Sequence, residues 1–220
     1  MFDYIIVTHI PNFYKVNLYN QLSKNMKIFV IFIASNSNEK RSDDFINLNN
    51  LDFEYRLLHK GDYESRDVRS NIFKLKTILR QHKCKRILVS GWNSKEYWYC
   101  VLANKKPKNC LALESTIHES NTDGIKGLMK KIFLSRISIT FASGNLHKSL
   151  LNQLNYKGKV KITRGVGIIN KPHYHFKKKD YKKRFIFIGR LSKIKNINML
   201  VDLFNDLEDY MLTILGYGSW

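Results

Sequence analysis

Short apolar runs alternate along most of the chain with longer segments in which apolar residues recur every three or four positions. Residues 4–8 form the first run, and Phe13, Val16, Tyr19 and Leu22 then mark one face of a helix that stops at Lys24 and Asn25. Residues 27–34 return to a continuous apolar run of strand length. After a polar loop rich in Asn, Ser and Asp, the pattern predicts a strand over 53–58 and a helix with Ile72, Leu75, Ile78 and Leu79 on one face. Strands follow at 86–90, 110–113, 137–142 and 160–163, separated by helices at 94–104, at 127–135 and around the stripe Leu146, Leu150, Leu151 and Leu154. Such alternation calls for crossover helices between parallel strands, which predicts an α/β fold with a Rossmann-like open parallel sheet and helices on both faces. Sheets of this kind bind ligands at the carboxyl ends of their strands. The segments after Thr8, Ser90, Leu113 and Ala142 are therefore where chemistry is expected.

The pattern breaks over 169–183, where Lys dominates and no apolar period is visible. This stretch reads as a basic interdomain linker between a first domain, 1–168, and a second over 184–220. In the second, 184–188 is a strand, 196–207 a helix and 211–215 a strand. One such unit cannot bury both faces of its sheet, so it reads as the first βαβ unit of a second Rossmann-like domain that is incomplete.

Composition narrows the class. The chain has 220 residues, 44% hydrophobic and 25% charged, which is enough for one full core and part of another. Lys and Arg outnumber Asp and Glu 38 to 18, a formal charge of +20. That excess attracts polyanions, although Lys, Asn and Ile are abundant throughout and compositional bias supplies a substantial part of it. No stretch approaches the roughly 18 consecutive apolar residues that span a bilayer, and the start lacks the features of a secretory signal. A cytoplasmic protein is expected. Cys84, Cys100 and Cys110 are odd in number and form no Cys-x-x-Cys pair, which predicts reduced, mostly buried thiols rather than a disulfide framework or zinc knuckle.

Three segments, taken in order, resemble the retaining glycosyltransferases grouped as family 4, which have the two-domain GT-B architecture. His9-Ile10-Pro11-Asn12-Phe13-Tyr14-Lys15 is similar to the Pro-x-x-Tyr-Arg form of the family's first loop, with Lys15 where Arg is usual. The resemblance implies that His9, Pro11, Tyr14 and Lys15 belong to an acceptor-side loop. Val89-Ser90-Gly91-Trp92 and Leu111-Ala112-Leu113-Glu114-Ser115-Thr116 resemble two strand ends of the acceptor-side domain. Gly165-Val166-Gly167-Ile168, the basic linker and residues 187–196 resemble the interdomain crossing and the start of the donor domain.

The last match has a physical reason in a donor that carries a diphosphate. A strand ends in Gly189-Arg190-Leu191, Lys195 follows, and a helix begins immediately beyond. Arg190 can make forked, charge-assisted hydrogen bonds to phosphate oxygens, Lys195 adds a point charge, and the helix presents its positive end. Together they would stabilise the negative charge that grows on a departing nucleoside diphosphate. Solvated charges flanking a strand would look the same from spacing alone. Gly216 and Gly218 resemble the family's Gly-x-Gly turn beside the nucleotide, and equally fit an ordinary tight turn.

Two residues carry alternatives. Glu114 stands where many family members have a His that contacts the sugar. As the candidate catalytic residue it can hold acceptor hydroxyls or support positive charge at the anomeric carbon; as a structural residue it can pair with a nearby Lys. Trp92 can stack on a sugar ring or fill the core.

The resemblance implies transfer of a hexose from a nucleotide-diphosphate sugar to a polysaccharide or lipid-linked glycan acceptor, with retention, in cell-surface glycan biosynthesis. It implies no cofactor and no catalytic metal. The basic surface suits peripheral attachment to anionic lipid at the inner face of the plasma membrane. In the family the donor domain continues and supplies a pair of Glu residues that grip the donor, and nothing after Trp220 supplies them. A truncated, non-catalytic remnant or a split subunit is the alternative. A nucleic-acid-binding protein is the remaining class; no interleaving of aromatic with basic residues and no recognition motif speaks for it.

Overall fold

The computed structural model describes residues 1–39, 45–46, 48–49, 51–165 and 183–218. The linker assigned to 169–183 lies outside the described residues except for Lys183, as do Val166, Gly167 and Ile168 of the crossing. The chain divides into two units, Met1–Asn38 with Asp44–Ile169, and Glu39–Asp43 with Asn170–Trp220.

In the first unit the elements run β1 (Phe2–Thr8), α1 (Phe13–Ser23), β2 (Ile28–Asn36), β3 (Glu54–Asp62), α2 (Val68–Gln81), β4 (Cys84–Val89), α3 (Lys95–Ala103), β5 (Asn109–Leu113), α4 (Gly124–Ser135), β6 (Ile139–Ala142), α5 (Asn145–Gln153) and β7 (Lys159–Ile162). The seven strands form one parallel sheet in the order β3-β2-β1-β4-β5-β6-β7. This is the Rossmann-like open α/β sheet that the alternation predicts.

Side-chain alternation divides the core into two. Ile5, Val7, Ile87, Val89, Leu111 and Leu113 face one way and pack with Leu75, Tyr97, Phe133 and Leu150 from the helices α2 to α5. Ile6, Val30 and Phe32 face the other way and pack with Val16 and Tyr19 of α1. Strand β2 is covered on both faces, so every residue from Ile28 to Ala34 is buried and the strand reads as an unbroken apolar run. All three cysteines are free and buried, and burial pushes each thiol up from its ordinary pKa.

Element ends depart from the periodicity where a local contact intervenes. β3 runs on to Asp62, beyond the apolar segment, because Gly61 N donates to Ser35 Oγ at 2.8 Å after a register shift between Ala34 and Asn36. β6 starts at Ile139 because the Ile137 amide still bonds to Leu134 O at 3.0 Å and completes the preceding helical turn. α4 starts at Gly124, and Gly127 in its first turn lies so close to the Thr122 carbonyl that no Cβ would fit there.

The second unit holds β8 (Arg184–Ile188), α6 (Ile197–Asn205) and β9 (Met211–Leu215), with β8 and β9 paired in parallel. Ile197 of α6 is buried, while Phe185, Ile186, Ile188 and Leu215 are exposed, as expected of a two-stranded sheet with a single helix.

Candidate functional site

The strand order reverses between β1 and β4: β2 and β3 extend one way, β4 to β7 the other. At such a switch point the connecting segments leave in opposite directions, opening a crevice at the carboxyl ends of the two strands. Residues 9–12 leave β1 here, and α1 begins at Phe13. Lys15, in the first turn of α1, is buried, and its Nζ lies 3.4 Å from Glu114 Oε1 at the end of β5. Both readings of Glu114 therefore remain physically available: it pairs with a lysine, and it sits at the mouth of a cavity.

That cavity measures about 530 Å³. Tyr4, Ile6, Leu22, Leu88 and Phe141 form an apolar wall along the α1 side of the sheet, and Lys15, Ser90, Glu114 and Ser143 gather where β4, β5 and β6 end. Tyr14 also lines it, with its hydroxyl accepting from Asn12 Nδ2 at 2.6 Å. An apolar trough with a few convergent polar groups at one end suits a ligand with one polar and one apolar part.

His9 stands behind this edge. Its ring meets Tyr63 and Tyr97 edge-on, at 4.9 and 5.1 Å between centroids. Burial, then the positive charges of Lys15 and Arg66, lower its pKa to about 4, so the imidazole is neutral at pH 7. Pro11 is buried in the same loop, and the Asn12 amide bonds back to Ile10 O at 2.9 Å. Trp92 packs against the α2–α5 side of the core, accepts through its carbonyl from Trp98 Nε1 at 2.9 Å, and has Lys130 Nζ 5.5 Å from its ring. The structure thus brings Tyr14, Lys15 and Glu114 to one cavity, whereas His9, Pro11 and Trp92 do not line it.

Two pairings at this edge have no signature in the sequence, Arg66 with Glu96 and His147 with the Glu114 carbonyl. Arg66 Nε donates to Glu96 Oε1 at 2.8 Å, with Nη2 on Oε2 at 3.3 Å, and Ser94 Oγ and Asn71 Nδ2 complete the shell of this fully buried carboxylate. Burial pushes the Glu96 carboxyl up, but the hydrogen bonds from Arg66 and Ser94 outweigh it and hold the group below its usual range. Arg66 also lies 3.5 Å from the Tyr63 ring, so it braces the aromatic that contacts His9. His147 Nε2 lies 3.1 Å from the Glu114 carbonyl oxygen; a carbonyl only accepts, so the ring carries its proton on Nε2. Partners 30 or more residues apart leave no local pattern by which they could have been found.

In the second unit the parallel ladder continues past β8 and β9. Gly189 N donates to Leu215 O at 3.0 Å and Leu191 N to Tyr217 O at 3.2 Å, so the two turns lie side by side. A Cβ on Gly216 would overlap the Gly189 carbonyl, and one on Gly218 the Leu191 carbonyl. Only glycine permits this approach. Arg190 lies between these contacts, and its Nη1 donates to Oε2 of Glu39, which groups with this unit, at 2.8 Å. Lys195 ends a single 3-10 turn and is exposed, and Asn196 turns the chain into α6 with a left-handed φ of 48°. Gly189, Arg190, Gly216 and Gly218 are thus neighbours at the carboxyl ends of adjacent parallel strands.

No protein-family model matches the chain, and no curated protein matches it in sequence. Among solved structures, the chain is similar to one described as UDP-GlcNAc 2-epimerase from Methanocaldococcus jannaschii, with a TM-score of 0.52 and 14% identity. The match covers 96% of this chain and 64% of that one, so the chain spans less than two thirds of the protein it resembles. At that identity the likeness is one of fold.

Proposed function

We propose that the chain belongs to a sugar-nucleotide-processing enzyme, and specifically to a glycosyltransferase that uses a nucleotide-diphosphate sugar. The observation that carries this reading is the glycine-only packing of the turns after β8 and β9, which sets Arg190 between two parallel strand ends with Lys195 following it. Backbone packed this closely leaves room for a flat or extended anion above the strand ends, and Arg190 supplies a planar fork for its phosphate oxygens. The first unit takes the acceptor in the cavity that Lys15 and Glu114 close. There the Glu114 carboxylate accepts a hydrogen bond from an acceptor hydroxyl, while Lys15 fixes the carboxylate's position. In transfer, the bond between the sugar's anomeric carbon and the diphosphate breaks, the acceptor oxygen bonds to that carbon in its place, and the acceptor's hydroxyl proton passes to the departing diphosphate. Arg190 and Lys195 favour this step because the charge they face grows as the bond breaks.

The solved neighbour supports a second reading, change of configuration within a UDP-sugar without an acceptor. Both readings share the diphosphate site, and the product separates them. Calorimetric titration of the purified chain with UDP and with GDP should show binding that Arg190→Ala weakens at least about tenfold. Unchanged binding in that variant would refute the diphosphate site. Incubation with a labelled UDP-sugar and a glycan acceptor then assigns the reaction: label in the acceptor with free UDP supports transfer, and an isomerised UDP-sugar with no acceptor consumed supports the second reading.

A further inference from the structure

Helix α4 carries a second apolar stripe that the core does not use. Phe133 and Leu134 turn inward and are buried, whereas Ile125 is 81% exposed and Leu128, Met129 and Ile132 are each at least 44% exposed. Their spacing of three and four puts these four on one face. At about 100° of rotation per residue they fall within an arc of about 100°, opposite Gly127 and Leu134. A surface helix ordinarily places charges at the centre of its outward face; here that centre is apolar, and Lys126 and Lys131 border it on either side.

The charges on the helix itself all have one sign, Asp123 standing just before it as its N-cap. α4 contains no acidic residue, and residues 124–179 hold thirteen Lys or Arg and no Asp or Glu. A uniform Lys bias does not account for this, because the rest of the chain carries all 18 acids. The combination of an apolar centre, basic flanks and no carboxylate selects among surfaces. A nucleic acid would satisfy the lysines and leave four apolar side chains in water. A second copy would bury the apolar stripe, but two-fold pairing would bring Lys126 and Lys131 of both copies together with no carboxylate of α4 between them.

We propose that α4 docks the protein on an anionic lipid bilayer, lying along the surface with Ile125, Leu128, Met129 and Ile132 in the headgroup–acyl boundary and Lys126 and Lys131 against anionic headgroups. α4 starts at the carboxyl edge of the sheet, since it follows β5, and that is the edge of Lys15 and Glu114. The inference does not depend on the sugar-transfer reading, because it concerns a different surface and its test uses no sugar.

The test is flotation of the full chain with vesicles of phosphatidylcholine alone and of phosphatidylcholine with phosphatidylglycerol, at low and high salt. The expected result is partitioning onto the anionic vesicles, weakened at least about tenfold by the double substitution Ile125→Ser and Met129→Ser, and weakened by salt without being abolished. Lys126→Gln with Lys131→Gln should reduce binding to anionic vesicles and bring it towards that on neutral ones. All four positions are exposed, and unchanged circular dichroism confirms that the variants fold. Equal binding by wild type and the serine variant would overturn the proposal, as would loss of vesicle binding to competing duplex DNA with the serine variant binding that DNA normally. A dimer in solution that the serine substitutions dissolve, with no vesicle binding by wild type, would assign the stripe to a second copy instead.

Discussion

Lys15 Nζ and Glu114 Oε1 stand 3.4 Å apart, yet the lysine side chain is 9% exposed and the glutamate side chain 61% exposed. The pair joins the first helix to the end of the fifth strand. Burial by itself favours the neutral amine of Lys15, but Tyr19 and Glu114 outweigh it and raise the pKa. Tyr19 has its own pKa raised by burial and is uncharged near neutral pH, so there the carboxylate is what holds the buried ammonium.

This asymmetry makes the two halves of the pair unequal to substitution. Glu114→Gln leaves a buried cation without its counter-charge and should cost about 1–2 kcal/mol. Lys15→Met removes the charge, keeps the apolar stem and should stay within about 1 kcal/mol of wild type. Urea denaturation of both variants gives the comparison; equal losses would show that the pair acts as an ordinary surface contact.

His9 predicts a pH dependence with a definite sign. Its pKa is about 4 in the folded chain against 6.5 for an unperturbed histidine, so between these values the unfolded chain binds more protons. Stability from this group is fully present above about pH 6.5 and is lost as pH falls towards 4, by up to about 3 kcal/mol. His9→Gln should flatten that part of the stability profile. An NMR titration in which the His9 ring protonates near pH 6.5 would contradict the assignment.

The Arg66–Glu96 pair should be among the costliest to break. Glu96→Gln leaves the Arg66 guanidinium facing a neutral amide and is expected to lose about 3 kcal/mol in chemical denaturation. Because the Glu96 pKa is lowered on folding, its contribution is present above the ordinary glutamate range and is lost as pH falls below it. The double variant Arg66→Met with Glu96→Leu should recover most of the loss, and a full additive loss would argue against the pairing.

Gly218→Ala tests the close approach in the second unit. The added methyl overlaps the Leu191 carbonyl, so the turns after β8 and β9 must separate, at a cost of about 1–3 kcal/mol to the second unit. Under the proposed function the same change weakens UDP binding while the first unit keeps its stability. Differential proteolysis of the two units, with and without UDP, reads both effects.

Much of the fold is legible along the chain because it rests on local periodicity. The unbroken run from Ile28 to Ala34 announces a strand covered on both faces, and Leu75, 0% exposed, anchors the stripe read from Ile72 to Leu79. The site is less legible. Lys15 and Glu114 come from separate motif segments, and their meeting depends on how far apart β1 and β5 lie in the sheet. Arg66 and Glu96, or His147 and the Glu114 carbonyl, meet only because loops from different strands end at one edge.

By itself, then, the sequence determined the order and type of the elements, the parallel α/β class, the reduced state of the cysteines and the strand ends at which polar residues would gather. Each follows from rules that act over a few neighbouring residues: side-chain period, turn composition, or the spacing of cysteines. The tertiary structure alone decided the strand order that puts the switch point between β1 and β4, the burial of Lys15 against an exposed Glu114, and the neutral state of His9. It also decided which side of α4 faces out. Apolar residues occupy both sides of that helix, so periodicity cannot say which side the core takes; the close contact of Gly127 with the Thr122 carbonyl and the burial of Phe133 and Leu134 fix it, and Ile125, Leu128, Met129 and Ile132 are left to the solvent.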